Sequence, residues 1–152
     1  MPPLDAVRMA TKSSTQTADG VDLESALAAI AGARRAAAAL GVPMNIAVVD
    51  EGNNLVAFER MDGAWLGSID IAQGKAYTAR AFDLSTKDIA PLCQPGQPLF
   101  GINTSNDGRL ITFAGGIPLE RGGAIVGAIG VSGGSVEQDQ AVAEAGVEAF
   151  RQ

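Results

Sequence analysis

The sequence predicts an α+β domain in which helices flank an antiparallel β-sheet. Short apolar segments rich in Val and Ile come as adjacent pairs, and segments with helical spacing stand before, between and after these pairs. Adjacent strands form hairpins, whereas a parallel sheet needs a crossover, usually a helix, between successive strands. The 152 residues, 47% of them hydrophobic, are the size of one domain that can bury a core without disulfides.

The first third of the chain is predicted to form a helix and a hairpin. Alanine and leucine dominate residues 21–40, and Gly41 and Pro43 end the helix. Its expected buried face consists of Leu23, Leu27, Ile30, Ala33, Ala37 and Leu40. Residues 44–50 and 55–61 are the predicted strands, and EGNN is the turn between them.

The middle of the chain is predicted to contain a helix and a long loop. The helix covers residues 68–82 and has Ser68 as its N-cap, and Ser85 begins a second, short helix. Two prolines and three glycines mark residues 93–109 as an extended loop. Loops of this length in a compact domain often bind ligands.

The last part of the chain is predicted to form a second hairpin and a helix. Residues 109–116 are a predicted strand that continues through residues 117–120, and residues 122–133 form the last strand. Ser135 is the expected N-cap of the final helix, and Gln138 completes a capping box.

Glycine is concentrated in residues 115–135, without the spacing of a nucleotide-binding loop. Gly122 and Gly123 stand where a hairpin turn needs positive φ, which glycine adopts at little cost. Gly127 and Gly130 lie inside the predicted strand, which indicates the close approach of another backbone. These four glycines are therefore expected to serve packing and turn formation.

Charge and residue counts exclude several classes of function. A net charge of −6 and a pI near 4.5 disfavour nucleic acid and an anionic membrane surface as partners. The sequence has no histidine, which excludes a Ser-His-Asp triad, a histidine-ligated zinc ion and a histidine-ligated haem. Cys93 is the single cysteine, so a buried free thiol is expected and no metal site is predicted.

The polar residues 1–20 are predicted to be a flexible leader, and residues 21–152 are predicted to be the domain. No signal peptide and no apolar run of roughly 18 residues is present. Cytoplasm is the expected location.

Two residues are tentative candidates for catalysis. Lys75 stands among small and apolar residues on the predicted second helix. It could bind an anion or, with a lowered pKa, act as a base, or it could simply extend its ammonium to solvent. Asp62 is the second candidate for proton transfer.

The candidate ligand-binding residues lie at strand ends. Arg60 could bind a carboxylate or form a surface ion pair, and Met61 could face a ligand or the core. The remaining candidates are Gly115, Gly116, Ser132, Gly133, Gly134 and Ser135. The last four offer backbone N–H groups at a helix start, which can bind a carboxylate or cap the helix.

Three segments in this order carry a family resemblance: AVVDEGNNLVAFERMDGA, SIDIAQGKAYTARAF and FAGGIPLERGGAIVGAIGVSGGSVEQDQAVAEAG. They resemble the GlcG/HbpS-like family of glycolate-operon accessory proteins, haem-binding proteins and C-terminal domains of PduO-type corrinoid adenosyltransferases. The resemblance implies a profilin-like fold, homo-oligomers and haem or a related small molecule as a ligand. Haem would then be held by Met61, Tyr77, Cys93 or a pocket without an iron ligand.

Two functions follow as hypotheses. The first is an oligomeric accessory protein of a catabolic pathway that binds a small molecule, possible ligands being haem or another tetrapyrrole. The second is a metal-independent enzyme that acts on a small carboxylate or carbonyl compound with Lys75 and Asp62 as acid and base.

Overall fold

The computed structural model describes residues 20–152, so the predicted leader lies outside the described residues except for Gly20. The α-helices are α1 Leu23–Leu40, α2 Gly67–Phe82, α3 Thr86–Ile89 and α4 Val136–Arg151. The strands are β1 Asn45–Asp50, β2 Leu55–Arg60, β3 Gly116–Arg121 and β4 Ala124–Ser132. Short 3₁₀ turns cover Ala90–Cys93, Ile102–Thr104 and Asn106–Gly108. None of the helices in residues 20–152 combines the length and the apolar character needed to cross a membrane.

The four strands form one antiparallel sheet in the order β2-β1-β4-β3. Both predicted hairpins are confirmed, and they join through the pairing of β1 with β4. The turn between β3 and β4 contains Gly122 and Gly123 with φ of 57° and 78°, which confirms the predicted glycine turn. The prediction of a single α+β domain with an antiparallel sheet is therefore confirmed.

Helices cover both faces of the sheet. On one face, α1 and α4 pack together, and Ile46 and Val48 of β1 belong to their core cluster. On the other face, Ala72 and Ala76 of α2 pack with Ala47 of β1 and its neighbours. Successive residues of β1 thus point to opposite layers, as the pleat of a strand requires.

A pair of glycines lets α2 lie close to the sheet. Gly116 of β3 and Gly130 of β4 are directly opposite each other. A Cβ atom on Gly130 would overlap the backbone of Ala72, and a Cβ atom on Gly116 would overlap the carbonyl oxygen of Lys75. The predicted close approach at Gly130 is confirmed, and the approaching backbone is that of α2.

Two predicted boundaries are wrong. The strand expected over residues 109–116 does not form, because Ile111 donates its N–H to Thr78 Oγ1 on α2 at 2.9 Å and the pairing with β4 begins at Gly116. Ser68 is not an N-cap, because α2 begins at Gly67 and the Ser68 side chain is buried within the helix interface.

The predicted buried face of α1 is wrong in part. Leu23, Leu27 and Leu40 are exposed. The buried side chains of the helix are Ala26, Ala29, Ile30, Ala33 and Ala37. Both stripes have helical spacing, and the stripe of small residues is buried because it allows α1 to pack closely against α4.

Candidate functional site

Lys75 lies on the inner face of α2 and is completely buried. Its Nζ donates to Oδ2 of Asp139 at 2.8 Å and to the carbonyl oxygen of Val131 at 2.9 Å. The centroid of the Phe113 ring lies 4.9 Å from the same Nζ, within the range of a cation–π contact. The ammonium group therefore joins α2, β4 and α4 inside the protein instead of reaching solvent.

Asp139 is a site residue that the sequence reasoning missed. It lies in the first turn of α4 and is 3% exposed. Its Oδ1 accepts a hydrogen bond from the N–H of Gly134 at 2.8 Å while Oδ2 accepts from Lys75. The sequence signal is an acidic residue in the first turn of a helix, and such residues are usually exposed, so the pattern alone did not single out Asp139.

The Lys75 pKa is lowered from its ordinary value of 10.5, because burial disfavours the charged ammonium. The hydrogen bond from Asp139 and its negative charge act in the opposite direction and offset part of the change. Lys75 consequently releases its proton more readily than a lysine on the surface does.

The glycines before β3 are held by the elements around the ion pair. The carbonyl oxygen of Gly115 accepts from the N–H of Val131 at 2.9 Å, and its N–H donates to Gln140 Oε1 at 3.2 Å. The N–H of Gly116 donates to Thr86 Oγ1 at 2.9 Å. Both candidate glycines are therefore buried and attached to α3, β4 and α4.

The helix start after β4 has partners within the chain. The N–H of Ser135 donates to Gln138 Oε1 at 3.0 Å, and Ser135 Oγ accepts from the N–H of Gln138 at 3.1 Å, which confirms the predicted capping box. The N–H of Gly134 donates to Asp139. Two of the amides expected to bind an anion thus contact the chain's own side chains in this structure.

Arg60 lies in a row with two buried polar side chains. Asn45 of β1 stands opposite Arg60 of β2 and also opposite Ser132 of β4. Asn45 and Ser132 are buried, and Ser132 Oγ donates to Ser68 Oγ at 3.1 Å, whereas Arg60 is exposed. Gly133 continues from this row beside Met44, where it has a φ of 153°.

Met61 and Asp62 follow β2 and differ in environment. The sulfur of Met61 accepts from the N–H of Met44 at 3.4 Å, and the side chain packs against the larger core cluster. Asp62 is exposed in the next turn. The structure thus groups Lys75 with Gly115 and Gly134, and it places the Met61–Asp62 segment at the end of the β1–β2 hairpin.

A groove of about 440 Å³ lies beside the ion pair, between α3, α4 and the segment before β3. Its apolar lining consists of Ala90, Phe113, Ala114, Val136 and Ala141. Lys87 lies at one side of the groove, and Glu137 and Glu144 lie along α4. Phe113 contacts both the groove and the Lys75 ammonium, so the ion pair stands directly behind the groove wall.

Comparison with known proteins identifies the family. The model of a family described as "Haem degrading protein HbpS-like" matches residues 21–148. The chain belongs to the HbpS-like family. The resemblance seen in the three sequence segments is thereby confirmed, and the match spans both hairpins, α1, α2 and most of α4.

Relatives of this HbpS-like chain occur beside and within larger proteins. An uncharacterized 15.0 kDa protein in the dhaT-dhaS intergenic region of Citrobacter freundii is 42% identical over 73% of this chain and 78% of its own length. Corrinoid adenosyltransferase PduO of the same organism is 40% identical over 73% of this chain, a match that covers 33% of PduO. Protein GlcG of Escherichia coli is 35% identical over 59% of this chain and 63% of its own length.

Solved structures share the fold closely. Protein ORFY of Klebsiella pneumoniae superposes with a TM-score of 0.86 at 36% identity over 91% of this chain and 96% of its own. The PduOC:heme complex gives 0.82 at 34% identity over 86% and 94% of the two chains. HbpS of Streptomyces reticuli gives 0.76 at 30% identity over 88% of each chain.

The groove of this HbpS-like chain does not offer an axial ligand for haem iron. Tyr77 donates its hydroxyl to Asn106 Oδ1 at 3.0 Å, and the Met61 sulfur is bonded to Met44. Burial raises the pKa of the Cys93 thiol, which favours the neutral thiol over the thiolate that binds metals. None of these three candidate ligands lines the groove. The groove fits a flat apolar face and does not fit coordination of iron.

Proposed function

We propose that this HbpS-like protein binds a flat, largely apolar small molecule of the tetrapyrrole class in the groove beside the Lys75–Asp139 pair. The observation that carries the proposal is the groove itself, in which the Phe113 ring and small apolar side chains form a continuous surface. Its volume of about 440 Å³ lies within the usual range of ligand sites. The family description and the PduOC:heme complex support this class of ligand.

The charges around the groove favour one orientation of such a ligand. Lys87 lies on the α3 side, where it can attract carboxylate groups of the ligand. Glu137 and Glu144 lie along α4 and repel them. The apolar ring system therefore rests against Phe113 and Val136, with its acidic groups directed towards α3.

Binding is expected to be independent of iron. The sequence contains no histidine, and the groove has no other axial ligand, so contacts with the ring system provide the affinity. Hemin and the metal-free protoporphyrin IX should therefore bind with similar affinity. Titration monitored by absorbance and by quenching of Trp65, the single tryptophan, measures both.

A matched pair of variants tests the location. Phe113→Ser should weaken the binding of both tetrapyrroles by about tenfold or more, because the variant removes the aromatic surface. Phe82→Ser is the control, since Phe82 at the end of α2 is 42% exposed and Phe113 is 39% exposed. Absence of binding, binding of hemin alone, or equal binding by Phe113→Ser would each contradict the proposal.

We further propose that the protein is a homo-oligomeric accessory protein of a catabolic pathway. Trp65 and Leu66 stand side by side and are 69% and 72% exposed, which is apolar surface that self-association would cover. The position of one relative between dhaT and dhaS and the likeness to PduO and GlcG support the pathway role. Sedimentation velocity should show an oligomer that Leu66→Asp dissociates; an unchanged mass would contradict this surface.

The enzyme hypothesis, with acid–base chemistry by Lys75 and Asp62 on a small carboxylate or carbonyl compound, stays a prediction. The lowered pKa of Lys75 favours it. Since Lys75 is buried and paired with Asp139, the site would have to open before a substrate reached Nζ. Lys75→Met should then abolish turnover in a protein that remains folded, and unchanged turnover would exclude Lys75 from the chemistry.

A further inference from the structure

A second cavity lies on the opposite side of α2 from the ion pair. This cleft of about 310 Å³ is bounded by the β1–β2 hairpin, by α2 and by the segment around Arg109. Val49, Leu55 and Ile111 give it apolar surface. It shares no lining residue with the groove of the proposed function.

Arg109 is held in a fixed position at this cleft. Its guanidinium carbon lies 4.1 Å from the centroid of the Tyr77 ring, and its Nε donates to the carbonyl oxygen of Asn106 at 2.9 Å. Tyr77 in turn donates its hydroxyl to Asn106 Oδ1 at 3.0 Å. Neither Nη group of Arg109 donates to any residue in 20–152, so the face of the guanidinium that binds carboxylates is available.

The backbone that carries Arg109 is strained. Asn106 and Asp107 have φ of 51° and 55°, in the left-handed region that residues with a side chain rarely adopt. Such conformations cost free energy and persist where surrounding contacts enforce them, often at ligand sites. Here the hydrogen bonds from Tyr77 and Arg109 to Asn106 enforce the turn that places Arg109 over the ring.

Opposite charges line the cleft without pairing. Asp70 of α2 and Asp107 are exposed at the cleft, and neither forms an ion pair or accepts a hydrogen bond from another residue in 20–152. Arg109 is likewise absent from the ion pairs of these residues. One fixed cation and two separated carboxylates therefore face the same space.

We propose that this cleft binds a small zwitterion with an apolar side chain. Its carboxylate pairs with the Nη groups of Arg109, its ammonium group lies near Asp70 and Asp107, and its side chain contacts Leu55 and Ile111. A simple anion would be repelled by the two carboxylates, and a simple amine would leave Arg109 unpaired. The charge pattern thus selects a molecule that carries both groups, such as an amino acid.

Calorimetry with four related probes tests this selection. The probes are leucine, isocaproate without the ammonium group, isoamylamine without the carboxylate, and leucic acid with a hydroxyl in place of the ammonium. Leucine should bind, and each of the other three should bind at least about tenfold more weakly, since each loses a charged contact. No heat with leucine, or equal affinity for isocaproate or leucic acid, would overturn the proposal.

Variants connect the binding to the cleft. Arg109→Gln should weaken leucine binding by about tenfold or more, whereas Arg35→Gln should not change it, because Arg35 is exposed on α1 at the other face of the sheet. Asp70→Asn should weaken it as well and provides a second test if Arg109→Gln fails to fold. Phe113→Ser should bind leucine normally, which separates this cleft from the tetrapyrrole groove. Normal leucine binding by both Arg109→Gln and Asp70→Asn would overturn the proposal.

Discussion

The two sides of helix α2 treat charge in opposite ways. On the inner side, Lys75 is completely buried and its ammonium group is enclosed by Asp139, Val131 and the Phe113 ring. On the outer side, Asp70 lines a cleft with Arg109 and makes no ion pair within residues 20–152. One helix thus carries both a closed polar cluster and an open one.

The difference follows from the cost of removing a charge from water. A buried charge without a partner is strongly unfavourable, so the inner side of α2 must supply a partner for Lys75 before the helix can pack on the sheet. An exposed charge remains hydrated and needs none. The inner cluster therefore maintains the fold, whereas the outer charges are available to a ligand.

The largest expected effect comes from removing the charge of Asp139. Asp139→Asn keeps the shape of the side chain and its acceptor for Gly134, but it leaves the Lys75 ammonium buried without a counter-charge. The free energy of unfolding should fall by about 3–5 kcal/mol. Urea denaturation monitored by circular dichroism measures the change.

A double variant distinguishes charge from packing in this cluster. Lys75→Met/Asp139→Asn removes both charges, and it should regain more than half of the stability lost in Asp139→Asn, because a neutral pair of similar volume carries no desolvation cost. A double variant as unstable as the single one would show that packing, and not the unpaired charge, causes the loss.

The next effect concerns the glycine that lets α2 approach the sheet. A Cβ atom on Gly130 would lie 2.5 Å from the backbone nitrogen of Ala76, so Gly130→Ala should displace α2 and lower the free energy of unfolding by about 1–3 kcal/mol. Gly67→Ala is the control, since a Cβ atom there has no neighbour within 4 Å. Equal unfolding midpoints for the two variants would mean that the helix can move away without cost.

Much of the fold could be predicted because its signals are local. The capping box of Ser135 and Gln138 and the turn at Gly122–Gly123 depend only on residues close in sequence. The strand expected over residues 109–116 failed for a non-local reason, since Ile111 bonds to Thr78 of α2 and not to a neighbouring strand. Apolar alternation reports burial, and it does not identify the element that buries a segment.

The candidate site was predictable to the same extent. Lys75 was recognisable as a charged residue among small ones, but its partner Asp139 is buried only because α4 packs over β4 and α2. The cleft was not foreseen, because Arg109 belonged to the strand that does not form. Its contact with Tyr77 depends on the left-handed turn at Asn106, for which the sequence carries a weak signal.

A smaller effect is the dependence of stability on pH. Since burial lowers the Lys75 pKa below 10.5, the native chain releases a proton that the unfolded chain still holds between those two pKa values. The free energy of unfolding therefore rises with pH across this window, and Lys75→Met lacks that rise. The stability difference between the wild type and Lys75→Met should widen from neutral pH to pH above 10.5. A narrowing difference would mean that the attraction of Asp139 exceeds the effect of burial.

The smallest expected effect is on the outer side of α2, where the same chemical change as in Asp139→Asn should be nearly silent. Asp107 is exposed and unpaired within residues 20–152, and asparagine adopts its left-handed conformation at least as readily. Asp107→Asn should change the free energy of unfolding by no more than about 0.5 kcal/mol. If the cleft binds leucine, the ligand should raise the melting temperature of the wild type more than that of Asp107→Asn, because a ligand stabilises the state that binds it. A large loss of stability without ligand would mean that Asp107 maintains the fold, and the contrast between the two sides of α2 would then fail.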